Sequence, residues 1–174
     1  AVSAAAIGKS AEFTSYGLSN IAWAFAKLQC ADGPLMDSIA SAALRLSSDL
    51  FSTQELANIA WSYAKLDVKN GPLLEAISSA SLQRLTEFFC QGLANMAWSF
   101  ATLGVEDSPL LDALAEQSIA RISELNPQEV TNPAWAYATL ALEHQPLLES
   151  LAAAALQRIT ALQVQELVNM AWAL

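Results

Sequence analysis

One eleven-residue phrase, built around a tryptophan, returns at an almost constant interval along this chain. Trp23, Trp61, Trp98, Trp135 and Trp172 are separated by 38, 37, 37 and 37 residues. The copies read LSNIAWAFAKL from Leu18, LANIAWSYAKL from Leu56, LANMAWSFATL from Leu93 and VTNPAWAYATL from Val130, with LVNMAWAL from Leu167. Self-similarity at such a period is the mark of a helical repeat array, in which each unit buries its apolar face only against its neighbours. The expected fold is all-α, an α-solenoid of stacked helix-turn-helix repeats of about 37 residues. The units are 14–51, 52–88, 89–125 and 126–162, preceded by the end of an earlier repeat (1–13) and followed by the start of another (163–174). The sequence opens without Met and stops inside a repeat, so it reads as a segment of a longer chain.

Positions are numbered from each tryptophan as zero. Leu or Val at −5, the apolar residue at −2, Ala at −1, the aromatic at +2 (Phe25, Tyr63, Phe100, Tyr137) and Ala at +3 share one face of a helix, helix A. Thr14, Ser52 and Asn126 stand where its N-cap belongs. Ser52 with Glu55 and Asn126 with Glu129 have capping-box spacing, and Pro127 suits a first helical position. Phe89 and Gln163 fill the same place without that chemistry. A short connection then leads to Pro34, Pro72, Pro109 or Pro146, which open helix B. Asp37, Glu75, Asp112 and Glu149 follow near its positive end, and Arg45, Arg84, Arg121 and Arg158 near its negative end, where a structural role is expected.

Composition limits the chemistry. No apolar run approaches the roughly 18 residues of a membrane span; SLAAAALQ from Ser150 reads as a packed helix. Cys30 and Cys90 form neither metal spacing nor an evident disulfide framework. His144, the only histidine, is expected in a solvated loop, and Glu106 and Asp107 in a turn. No catalytic, cofactor-binding or metal constellation can be assembled, so the chain is read as a non-enzyme. The net charge is −9, with no Lys/Arg stripe of the kind that binds nucleic acid through phosphates.

On the helix wheel each tryptophan lies away from the main apolar stripe. It shares its side with Asn at −3 (Asn20, Asn58, Asn95, Asn132, Asn169) and with Lys27, Lys65, Thr102 and Thr139 at +4. Asn has poor interior helix propensity, so five recurrences in mid-helix need a reason. One reading makes Trp23, Trp61, Trp98, Trp135 and Trp172 the filling of the inter-repeat seam, with Asn bonding backbone across it. The other makes the tryptophan, Asn and Lys/Thr rows a groove that meets a linear polymer once per repeat. Seam is expected for the tryptophans, and groove for their polar neighbours.

The phrases LANIAWSYAKL and LANMAWSFATLG, the period and the Pro-Leu-Leu-Asp/Glu start of helix B resemble the heptatricopeptide and octotricopeptide repeat class. That resemblance implies an organellar protein of a chloroplast or mitochondrion, acting on organellar RNA or built into a large assembly. The expected role is a scaffold that contacts protein subunits of a larger complex through the solenoid surface. The alternative is a modular binder of single-stranded RNA.

Overall fold

In a computed structural model, residues 2–173 are described, and they contain helices and turns with no strand. The helices are α1 (Val2–Lys9), α2 (Ser15–Lys27), α3 (Gly33–Arg45), α4 (Thr53–Lys65), α5 (Gly71–Gln83), α6 (Cys90–Thr102), α7 (Ser108–Ala120), α8 (Pro127–Thr139), α9 (Gln145–Gln157) and α10 (Val164–Ala173). Even-numbered helices are the expected helix A and odd-numbered ones helix B. None is long and apolar enough to cross a membrane. The chain divides into two compact units, Ala1–Arg84 and Leu85–Leu174.

The first unit packs α2 against α4, α1 against α3, and α3 against α5, with α2 on α3 and α4 on α5 joining the two rows. The second repeats this with α6, α8 and α10 side by side and α7 against α9. Close approach of the A helices comes from alanine. Ala22, Ala60, Ala97 and Ala134 at −1 are at most 1% exposed, so adjacent backbones meet with no long side chain between them.

Each A helix starts and stops by a recurrent device. Thr14 accepts a hydrogen bond from the Gly17 amide, and both expected capping boxes, Ser52–Glu55 and Asn126–Glu129, are closed in both directions. Phe89 caps without a side-chain bond. At Gln163 half of a box survives, because the Glu166 carboxylate accepts from the Gln163 amide at 2.7 Å. The C-terminal end closes as a Schellman motif in four repeats, with the Cys30, Val68, Val105 and Leu142 amides donating to the Phe25, Tyr63, Phe100 and Tyr137 carbonyls. That motif needs a left-handed residue, which falls on Gln29, Asp67, Gly104 and Ala141 at φ of 52°, 54°, 60° and 52°. Only one of the four is glycine.

Helix B starts differently from the sequence reading. Its N-cap lies two residues before the proline, where the side chains of Asp32, Asn70, Asp107 and His144 accept from the amides of Leu35, Leu73, Leu110 and Leu147. Asp37, Glu75, Asp112 and Glu149 therefore sit one turn further in and are not first-turn acids. His144 corrects its expectation as well. It is half-buried rather than solvated, with Nδ1 accepting from Leu147 at 3.2 Å and its ring edge-on to Tyr137.

Of the four helix B arginines, Arg45 stands exposed in the last turn of α3, and the other three bind backbone carbonyls outside their own helix. Arg84 donates to the Phe51 carbonyl at 2.6 Å, Arg121 to Phe88 at 2.6 Å, and Arg158 to Ile122 and Ser123 at 3.3 Å. Each clamps the turn that opens its own repeat, supplying a donor to carbonyls that no helix satisfies. Arg121 is held in turn by Glu124. Tyr63 and Tyr137 make a second kind of clamp. Their buried hydroxyls donate to Met36 and Leu111, equivalent carbonyls on the helix B of the preceding repeat.

Candidate functional site

Mid-array A helices are buried nearly all round, and the exception defines the candidate site. In α4, Thr53, Leu56, Ala57, Ile59, Ala60, Ser62, Tyr63 and Ala64 are buried, whereas Gln54, Asn58, Trp61 and Lys65 reach the surface. Those four are spaced i, i+4, i+7 and i+11, which is one narrow stripe along a helix. The same stripe recurs as Tyr16, Asn20, Trp23 and Lys27 on α2, as Gln91, Asn95, Trp98 and Thr102 on α6, and as Gln128, Asn132, Trp135 and Thr139 on α8. On α10 it is Gln165, Asn169 and Trp172.

The glutamine row at −7 is absent from the sequence reading. The repeated phrase begins at −5, and a glutamine at a helix start looks like any solvated residue. Spacing could have found it, since Gln54, Gln91, Gln128 and Gln165 recur at 37-residue intervals. Gln165 Nε2 donates to Asn169 Oδ1 at 2.9 Å, so the two amide rows are within reach of each other.

The asparagines do not form an internal ladder. All five are half-buried, and among the described residues the amides of Asn20, Asn58, Asn95 and Asn132 have no hydrogen-bond partner. An unpaired amide that keeps contact with water is free to meet a ligand. At +4, Lys27, Lys65 and Thr139 are exposed and Thr102 is half-buried. Thr139 turns its hydroxyl back to the Trp135 carbonyl. The Thr102 hydroxyl is shielded from water and has no partner.

None of the tryptophans is fully buried. Trp61, Trp98 and Trp135 are half-buried, while Trp23 and Trp172 are 44% and 60% exposed. In the second unit Trp98, Trp135 and Trp172 form a ladder, with ring centroids 6.3 and 6.5 Å apart and interplanar angles of 30° and 35°. Each ring meets the ring of the next repeat and also faces solvent. In the first unit the Lys27 ammonium lies over the Trp23 ring, 5.6 Å from its centroid.

Charge is sorted by face. Of the 17 acidic residues, the A helices contain only Glu55, Glu129 and Glu166. All three fold back onto the backbone amides of Ser52, Asn126 and Gln163. The other acids lie on helix B and in the connections, so the net charge of −9 does not burden the Gln–Asn–Trp stripe. Among the described residues no group of three or more His, Cys, Asp and Glu could hold a metal ion. Burial holds the Cys90 thiol above its ordinary range, and Glu124 beside it adds to that effect.

Compared with family models, the chain matches over residues 1–174 the family described as RNA-editing substrate-binding complex 6 protein. No curated protein matched it. The match is to an RNA-editing family; it does not single out the heptatricopeptide or octotricopeptide class and gives no support to a chloroplast setting.

Proposed function

Because the chain belongs to the RNA-editing substrate-binding complex 6 family, we propose that it is a non-catalytic repeat subunit of an RNA-editing assembly. On this reading the helix A stripe receives single-stranded RNA, and the acidic surface of helix B and the connections is left for protein subunits. A mitochondrial setting accords with the family. The observation that carries the proposal is the stripe itself: unpaired amides beside a partly exposed indole, once per repeat, on helices whose carboxylates are turned away. Aromatic and amide groups in that arrangement suit unstacked bases, which offer a π-face and a hydrogen-bonding edge.

Filter binding of single-stranded RNA at low and moderate salt tests this reading. The expected result is measurable binding, weakened about tenfold when Asn58 and Asn95 are both changed to Ala. Absence of binding at the lowest salt refutes the RNA role and leaves the protein-scaffold role in its place.

A further inference from the structure

Resting on the RNA reading, we infer that the second unit holds unpaired, purine-rich RNA by its bases, stacked against the partly exposed indoles of the Trp98–Trp135–Trp172 ladder and almost without phosphate contacts. Three observations point there. Trp98, Trp135 and Trp172 each keep part of the indole at the surface, with successive centroids 6.3 and 6.5 Å apart and planes tilted by 30° and 35°, so the row offers aromatic surface once per repeat.

Gln91 and Asn95, then Gln128 and Asn132, stand one and two turns along the same stripe with free amides. Each amide offers a donor and an acceptor to a base edge. Finally, the stripe of α6, α8 and α10 carries no Lys or Arg, and its only carboxylates cap their own helices. With nothing to neutralise phosphates, affinity must come from stacking, which is stronger for the larger purine face. With no Lys or Arg on this stripe, even two incidental phosphate contacts elsewhere hold the logarithmic salt slope to about −1.4. That is a loss of no more than about sevenfold between about 50 and about 200 mM salt.

The test is a titration of the whole chain with oligoadenylate and oligouridylate, read by quenching of tryptophan fluorescence, with inorganic polyphosphate as a backbone-only competitor. We expect oligoadenylate to bind several-fold more tightly than oligouridylate, to keep its affinity within that salt limit, and to resist polyphosphate. Trp135→Leu should weaken it about tenfold or more. Should that variant fail to fold, Gln128→Ala with Asn132→Ala should instead weaken oligoadenylate binding several-fold without moving the melting transition. RNA binding that polyphosphate displaces, or that survives these substitutions unchanged, overturns the inference and leaves the RNA reading intact. If no oligonucleotide binds at the lowest salt, or an extended peptide binds in its place, both fail together.

Discussion

Replacing Tyr63 by Phe isolates one hydroxyl in the inter-repeat packing. Tyr63 is fully buried, and its Oη donates to the Met36 carbonyl at 2.6 Å across the boundary between two repeats of the first unit. Phe100 occupies the same register in α6 and is also fully buried, so the ring without its hydroxyl is already accommodated by this fold. No cavity beyond a single oxygen is made. Met36 lies inside α3, whose own hydrogen-bond ladder still employs its carbonyl, so the acceptor is not orphaned. The cost is then that of one neutral hydrogen bond, about 0.5–1.5 kcal/mol.

A pH signature separates this from general loosening. Burial, with the Asp37 carboxylate adding to it, raises the Tyr63 phenol well above its ordinary value near 10. The folded state therefore favours the neutral phenol. The stabilisation is complete below about pH 10 and is lost as pH rises above that value toward the raised folded pKa. Urea unfolding followed by circular dichroism at neutral pH and near pH 11 measures both effects. Tyr63→Phe should be less stable at neutral pH by the stated amount, and its alkaline loss should be shallower than that of the unaltered chain. A cost above about 3 kcal/mol, or equal alkaline losses, would refute the reasoning.

Tyr137→Phe should behave in the same way in the second unit, since its hydroxyl is held by Leu111 and its phenol is raised by the same burial. Ala141→Gly should stabilise by about 0.5–1 kcal/mol and Gly104→Ala destabilise by about 1 kcal/mol, because both sit at positive φ; urea midpoints check the opposite signs. Pro133 interrupts the hydrogen-bond ladder of α8 where the other repeats carry Ile21, Ile59, Met96 and Met170. Pro133→Met should therefore raise the melting transition by restoring that bond, worth about 1–3 kcal/mol. Trp98→Ala should cost less than the 3–5 kcal/mol of a fully buried indole, about 2 kcal/mol, and leave the far-ultraviolet dichroism unchanged.

What could be read from the chain in advance was whatever is local or periodic. The tryptophan interval, the apolar stripe and the capping boxes at Ser52 and Asn126 depend on spacing within one helix, and the structure has them in place. Helix B capping was hidden because four different residues, Asp32, Asn70, Asp107 and His144, do one job, while the invariant proline beside them drew the boundary. The arginine clamps join residues some 33 positions apart, Arg84 to Phe51 and Arg121 to Phe88, and no local pattern announces them. How far each indole is covered depends on the helix beside it, a tertiary fact. The glutamine row is periodic and therefore legible, but it precedes the repeated phrase that sets the register.

The helix A stripe is the surface proposed to meet RNA. Ultraviolet cross-linking of the whole chain to a single-stranded RNA, with the adducts mapped by mass spectrometry, addresses that most directly. The prediction is adducts on peptides carrying Trp61, Trp98 and Trp135 with their neighbouring Asn and Gln. Adducts confined to helix B and the connections, around Arg45, Lys69 or Arg158, would contradict it.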